Sequence, residues 1–372
     1  MNTRTSPVPP PAAAVRPAPT TWAVLAWSAL ALALGPGWIF GLLPSGVPEG
    51  DGFGSLFGTW GPTWAAWLTL ALGLVGTVCA VVMTRPGRGG PAVAYTAWGL
   101  SAAIVAFFLT GSLLALFGYT MIMPVAAWFV PGLAGLWMEQ VLKPETLTLM
   151  FFTVGAALWA VAGLAARRAA SAACPDCGRA RDWTPQVERT VRARALRVGR
   201  VAVLIACLSS LAYPALRFPW LLGITPGMGA DFSEEFAATP GTLFIGVGLG
   251  AAGAAGTLLM TGLVLRWGVR FPFWAVGLRG RRVPIPLAVV PATLVALALI
   301  AMGRSVLVQI VLGQAGMLTA SDPHAWVFLG MGVWGVALAV ATVAYAVRRR
   351  AECDTCERGL PEVDPRGPRA AA

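Results

Sequence analysis

Long apolar blocks alternate with short polar segments along the chain, and this pattern predicts its secondary structure. A block of about 20 residues, at 1.5 Å per residue, matches the roughly 30 Å hydrocarbon core of a bilayer. We therefore expect an all-α integral membrane helical bundle with about eight transmembrane helices. The blocks are residues 21–43, 63–84, 92–117, 146–166, 201–223, 241–265, 285–312 and 325–347.

A further apolar stretch, residues 119–137, is also long enough to cross a membrane. An additional crossing there would move Arg167, Arg168 and the basic segment after them to the side that otherwise lacks arginines, against the positive-inside rule. Pro124 and Pro131 interrupt the stretch, because proline removes a helical hydrogen bond. We therefore predict an outer-surface or re-entrant segment rather than another span.

Composition and charge fix the class and the orientation. The chain is 57% apolar and 12% charged, with a mean hydropathy of +0.72, whereas soluble domains carry roughly a quarter charged residues. The net charge of +11 would suggest nucleic acid in a soluble protein. Cytoplasmic loops, however, retain arginine and lysine, and placing both termini in the cytoplasm puts every arginine except Arg217 and Arg304 on that side. We therefore expect no nucleic-acid partner.

An internal duplication is indicated by a motif shared by the first and fifth blocks. Trp38-x-x-Gly41-x-x-Pro44 recurs at a constant offset as Trp220-x-x-Gly223-x-x-Pro226. An even number of spans in each half gives both the same orientation, so we predict two parallel four-helix repeats. The expected divisions are a Pro/Ala-rich tail at 1–20, repeats at 21–187 and 188–359, each ending in a Cys-x-x-Cys, and a tail at 360–372.

Four cysteines form two Cys-x-x-Cys pairs, Cys174 with Cys177 and Cys353 with Cys356, each just after the last span of its half. In a reducing cytoplasm metal binding or redox chemistry is more plausible than a stable disulfide. Each pair supplies two thiolates, and the duplication would bring both pairs together into one tetrahedral four-thiolate site. The hypothesis is a structural zinc that joins the halves. A redox pair and unmetallated thiols remain alternatives.

Arg217 and Arg304 are the two arginines predicted near the outer face. Ionisable groups at membrane depth usually face a cavity or pair with an opposite charge. A site for an anionic ligand is one interpretation, and snorkelling to lipid phosphate or a structural salt bridge is the other. The acids on the neighbouring outer loops that would complete the site are Asp231, Glu234, Glu235 and Asp322.

A basic segment, residues 179–200, follows the first cysteine pair. Clusters of this kind next to a membrane attract anionic lipid headgroups, at about 1 kcal/mol per charge. We therefore expect the bilayer itself, and its anionic headgroups at the cytoplasmic face, to be partners. The arginines concerned are Arg179, Arg181, Arg189, Arg192, Arg194, Arg197 and Arg200.

Blocks of the second half resemble a family of multi-pass membrane proteins from actinobacteria to which we can attach no activity. The likeness rests on Trp267-Gly-Val-Arg-Phe-Pro272, Gly280-Arg-Arg-Val-Pro284, Pro291-Ala292, and Tyr213-Pro-Ala-Leu-Arg217 with Trp220 and Gly223. It implies a multi-pass protein of a bacterial cell membrane. It also suggests that the fifth span and the loop between the sixth and seventh spans share a task.

Two functions from different classes follow. The first is a transporter-like or ligand-binding protein with an outward-facing site around Arg217 and Arg304. The second is a membrane scaffold or sensor whose cytoplasmic four-cysteine face and arginine-rich segment engage a partner or lipid. An enzyme ranks third, because the sequence has no phosphate-binding glycine-rich loop, His-Glu-x-x-His or nucleophile elbow.

Overall fold

The computed structural model describes residues 19–47, 54–85, 90–129, 131–227, 240–273, 275–313 and 323–362. Within these ranges the chain forms eleven α-helices and two short 3-10 helices, Phe218–Leu222 and Arg266–Gly268, and no β-strand. The α-helices, in chain order, are α1 Pro19–Ile39, α2 Leu56–Trp60, α3 Pro62–Thr84, α4 Pro91–Phe108, α5 Ser112–Phe129, α6 Leu133–Val141, α7 Pro144–Ala170, α8 Pro185–Arg217, α9 Pro240–Thr261, α10 Ile285–Leu312 and α11 Pro323–Arg349.

Seven of these helices are long and apolar enough to cross a membrane: α1, α3, α4, α7, α8, α10 and α11. Helix α9 covers the remaining predicted block, with a shorter apolar part, Gly246–Thr261. The prediction of an all-α membrane bundle is thus confirmed by the length and composition of its helices. Which side of the membrane holds the termini stays a prediction.

Proline and glycine set many helix ends. Helices α3, α4, α7 and α8 begin with proline, whose fixed φ suits the first turn and whose missing N–H would be unsatisfied there in any case. The Thr184 side chain caps α8 by accepting a hydrogen bond from the Val187 N–H. Helix α10 ends at Gly313, which takes the left-handed conformation open to glycine.

The third predicted block, 92–117, is wrong as a single helix. Helix α4 ends at Phe108 and α5 begins at Ser112. The break is stabilised from the second half of the chain, where the Ser305 hydroxyl accepts a hydrogen bond from the Gly111 N–H at 2.9 Å. Side-chain partners thus replace the helical bonds lost at the break. Most of the stretch 119–137 is accordingly helical, in α5 and α6.

Each half of the bundle has its own apolar core. In the first half α1 packs against α3 and α7, and α4 packs against α7; in the second, α8 packs against α9 and α11, and α10 packs against α11. Helix α10 joins the halves by contacting α4 and α5, and its Ala298 and Ala301 belong to the first core. We call the end at which α7 and α11 terminate the cysteine end, and the other the opposite end.

The repeated motif ends its two helical segments in the same way. Gly41 and Gly223 both adopt a left-handed backbone, with φ of 65° and 72°. Their N–H groups donate to the carbonyl oxygens of Trp38 and Trp220, at 3.3 and 3.0 Å. The predicted boundary between residues 187 and 188 falls inside the first turn of α8, and the division into repeats stays a prediction.

Candidate metal centre

Two similar turns, one after α7 and one after α11, carry the four predicted cysteines. In the first, the Gly178 N–H donates to the Cys174 carbonyl at 2.8 Å; in the second, the Glu357 N–H donates to the Cys353 carbonyl at 2.8 Å. Gly178 and Glu357 have φ values of 71° and 55°. The positive φ at a non-glycine residue shows how tightly the second turn is closed.

The two turns bring all four sulfur atoms together. The Sγ atoms of Cys174 and Cys353 are 3.9 Å apart, and those of Cys177 and Cys356 are 3.6 Å apart. All four lie within 4.8 Å of one another. A disulfide would need a separation of about 2.05 Å. The predicted meeting of the two pairs is therefore confirmed, and the cluster can hold a metal ion.

Burial and backbone N–H donors shift the pKa values of the cysteine thiols. Cys174 and Cys353 are 7% and 9% exposed. The backbone N–H groups of Cys356 and Thr355 lower the pKa of Cys353 to about 6. At Cys356 the Arg358 N–H favours the thiolate, but burial and hydrogen bonds with the neighbouring thiols outweigh it and raise the pKa to about 12. A cation at the centre would favour the thiolate form of all four cysteines.

A buried carboxylate lies beside the cysteine turns. Glu188 is fully buried and accepts hydrogen bonds from Arg179 and Arg350 at 3.1 Å, from Arg192 at 3.3 Å and from the Trp183 indole at 3.0 Å. We call these five residues the Glu188 network. Burial alone would lower the pKa of the Arg179 guanidinium, but the hydrogen bond and the charge of Glu188 outweigh burial and raise it.

The network ties the first turn to the C-terminal segment. Arg179 donates to the carbonyl oxygens of Arg358 and Ala351, each at 2.8 Å. Arg192 donates to the carbonyl oxygens of Leu360 and Pro361, each at 2.8 Å. These guanidinium groups therefore order the backbone that carries the second pair of thiols.

Sequence reasoning missed this network. It assigned Arg179 and Arg192 to lipid headgroups, but the two side chains are only 2% and 8% exposed and serve Glu188. The signal available in the sequence is Glu188 itself, an acid at the start of the apolar helix with Arg189 and Arg192 close behind it. The headgroup prediction now rests on the exposed members of the segment: Arg181, Arg189, Arg194, Arg197 and Arg200.

The predicted ligand-binding arginines lie in different surroundings. Arg304 donates to the carbonyl oxygens of Ala106, near the end of α4, and Gly54, at 2.8 and 2.7 Å. The Arg217 guanidinium lies over the rings of Trp220 and Tyr213, 4.3 and 5.2 Å from their centroids. The proposed acidic partners, Asp231, Glu234, Glu235 and Asp322, fall outside the described residues, so this site stays a prediction.

A cavity of about 620 Å³ opens at the opposite end of the first half. It lies between the loop before α2, the α4–α5 break and the start of α7. Arg304 and Ser305 support its wall, because they bind the backbone next to Ser55 and Thr110. Its polar lining residues are Ser55, Thr110, Ser112, Gln140, Lys143, Glu145, Thr146 and Thr148.

Comparison of the chain with models of protein families, with curated proteins and with solved structures finds no match. The resemblance to actinobacterial membrane proteins therefore stays a prediction. The functional argument rests on the geometry of the chain itself.

Proposed function

We propose that this protein is a multi-pass scaffold of a bacterial cell membrane whose two halves are clamped at the cytoplasmic face by a structural zinc ion. The observation that carries the proposal is the four-sulfur cluster. Two of its thiols follow α7, in the first half, and two follow α11, in the second. A single ion bound there bridges the two halves.

The geometry of the cluster fits zinc. A tetrahedron with Zn–S bonds of about 2.3 Å has edges of about 3.8 Å between sulfur atoms. Two of the six sulfur–sulfur separations, 3.9 and 3.6 Å, lie on either side of that value, and all six are within 4.8 Å. Four protein thiolates leave no coordination position for water or substrate, which is typical of structural rather than catalytic zinc.

A redox function is less well supported. Thiol–disulfide exchange needs an accessible thiolate, but the first cysteine of each pair, Cys174 and Cys353, is buried, and only Cys177 and Cys356 are partly exposed. The sulfur contacts at 3.9 and 3.6 Å also join one turn to the other, whereas a redox Cys-x-x-Cys oxidises within one turn. Unmetallated thiols would leave unexplained why two distant segments hold four sulfurs at zinc-like spacing.

Metal analysis of purified protein tests the proposal. We expect about one zinc per chain in the wild type, from the four-ligand stoichiometry of structural sites, and background levels in Cys353→Ser. Cys207→Ser is the matched control, because Cys207 lies in α8 and belongs to no cluster of potential ligands among the described residues. Wild-type protein without zinc would refute the clamp.

The scaffold assignment adds a membrane-surface role to the clamp. The exposed arginines of the segment 179–200 flank the cysteine end on α8 and the loop before it, where anionic headgroups can bind them. Binding of a short-chain phosphatidylglycerol to the zinc-loaded protein in detergent, compared with the matching phosphatidylcholine, tests this role. Replacing Arg189 and Arg194 by glutamine should weaken binding of the anionic lipid and leave zinc content unchanged.

A second candidate is a transporter-like or ligand-binding role at the outward face. The observation that favours it is the cavity of about 620 Å³ at the opposite end, which holds Lys143 and several hydroxyl groups beside a broken helix. Broken helices often surround binding sites in transporters. If the cavity is the site, small anionic solutes should raise the unfolding temperature of the wild type but not that of Lys143→Gln. If the predicted arginine site is the site, the same solutes should fail to raise the unfolding temperature of Arg217→Ala.

A further inference from the structure

A second, apolar cavity lies near the cysteine end of the second half. It has a volume of about 390 Å³ and sits between α9, α10, α11 and the segment 262–284. This size is within the range of small-molecule pockets. Its walls include Met260, Trp267, Phe271, Leu287, Ala292 and Trp334. Several of these belong to the blocks on which the actinobacterial resemblance rests.

Two polar side chains in the cavity wall already form hydrogen bonds within the protein. The Tyr345 hydroxyl donates to the Gly268 carbonyl at 2.6 Å, and the Trp334 indole donates to the Met260 sulfur at 3.0 Å. A guest in this cavity is therefore held by van der Waals contact, as a hydrocarbon chain would be.

The segment 262–284 distinguishes this part of the second half. In the first half, α3 packs against α4. In the second half, the segment 262–284 folds in between α9 and α10, held by backbone hydrogen bonds between Phe271 and Arg281 and between Val283 and Val269. The segment thus creates both a wall of the cavity and a basic rim.

Arginines of this segment stand next to the lining residues in the chain. Arg266 precedes the lining residue Trp267, and the carbonyl of Arg281 accepts a hydrogen bond from the N–H of the lining residue Phe271. Arg282 also borders the cavity, but it is paired with Glu362. Arg266, Arg279 and Arg281 are exposed, and within the described ranges no carboxylate forms an ion pair with them. An apolar cavity with unpaired cations at its rim is complementary to a molecule with a hydrocarbon chain and an anionic head.

We propose that this cavity binds an anionic phospholipid, with one acyl chain between α9 and α10 and the phosphate on the arginines of the segment 262–284. In a bilayer the chain alone gives little preference, because surrounding lipid tails are equally apolar. The selectivity comes from the charge of the headgroup, and the cavity fixes where that lipid stays. This binding is independent of the zinc clamp.

Native mass spectrometry of the full-length protein, taken from nanodiscs into detergent, tests the proposal. The probes are phosphatidylglycerol and phosphatidylcholine with identical acyl chains. We expect one phosphatidylglycerol to be retained in preference to phosphatidylcholine. Replacing Arg279 and Arg281 by glutamine should weaken that binding about fivefold each. The same exchange at Arg85 and Arg167, which are exposed at the ends of α3 and α7 in the first half, is the charge-matched control and should have no effect on the retained lipid.

A substitution that fills the cavity with a larger side chain tests whether an acyl chain binds there. Ala292→Phe occupies the cavity and should abolish retention, whereas Val290→Phe, on an exposed face of the same helix, should preserve it. Thermal unfolding shows whether each variant is folded. If Ala292→Phe does not fold, the variant with Arg279 and Arg281 replaced by glutamine still tests the proposal. Equal retention of the two lipids by the wild type, or equal loss in both pairs of variants, overturns the proposal.

Discussion

Glu188 is where a single substitution should have the clearest local effect. Five hydrogen bonds from arginine side chains and one from Trp183 converge on its buried carboxylate. Glu188→Gln preserves the shape of the side chain but removes the negative charge. The amide oxygen has two lone pairs, so at least three of the arginine bonds are lost, and the new NH2 group faces cationic donors.

The expected cost follows from measured buried ion pairs. Removing one partner of such a pair costs about 3–5 kcal/mol, because a buried charge is left uncompensated. Arg350 is 27% exposed in its side chain, so water relieves part of this cost, and we expect the lower end, about 3 kcal/mol. That corresponds to about a 150-fold increase in the fraction of molecules in which the C-terminal segment has detached from the Glu188 network.

Hydrogen exchange measures this opening. The amide protons of Cys353 and Glu357 are reporters, because both are bonded within the second cysteine turn. Chelator-treated protein is used, so that a bound ion does not mask the effect. The control is Glu352→Gln, which removes an exposed acid that has no ion pair among the described residues. If the two variants exchange within threefold of each other, the Glu188 network does not hold the segment.

Three further substitutions test packing and hydrogen bonding, each by thermal unfolding in detergent. Gly73→Ala places a Cβ 2.4 Å from the backbone of α1 and should lower the stability of the protein by about 1–3 kcal/mol. Gly99→Ala is the control, because the space around Gly99 is open. Equal unfolding midpoints for the two variants would contradict the close packing at Gly73. Tyr345→Phe removes the hydroxyl donor to the Gly268 carbonyl, which keeps its bond from Arg349, so the cost should be about 0.5–1.5 kcal/mol; an unchanged midpoint would contradict this. Arg304→Met removes both bonds to backbone carbonyls, so a loss of about 1.5–3 kcal/mol is expected. An unchanged midpoint would show that these bonds are not needed at the α4–α5 break.

The sequence predicts well what depends on local composition. Apolar blocks of bilayer length predict the membrane bundle, and two Cys-x-x-Cys turns at matching places in the two predicted repeats predict one four-sulfur cluster. Both predictions need only the composition of the segments and their order along the chain. The separation of 3.9 Å between the sulfurs of Cys174 and Cys353 comes from the structure.

Contacts that depend on how the halves meet were not predictable. Nothing near Phe108 requires a helix to end there, because the break is stabilised by Ser305 from a helix far along the chain. Similarly, Glu188 and Arg350 are 162 residues apart, so the basic segment looked like a surface cluster. An arginine placed next to a membrane has two possible partners, a headgroup or a buried acid, and only the tertiary structure distinguishes them.

Polar contacts at both ends of the bundle explain why the two halves stay in one arrangement. Between them, α10 contributes small residues such as Ala298 and Ala301, and apolar helix contacts gain little in lipid, because lipid tails are equally apolar. Arg304 supplies directed bonds near the opposite end, and the Glu188 network supplies them at the cysteine end. A metal ion bound by four thiols from both halves would add a further directed contact at the cysteine end, which is why we propose a structural rather than a catalytic role for the cluster.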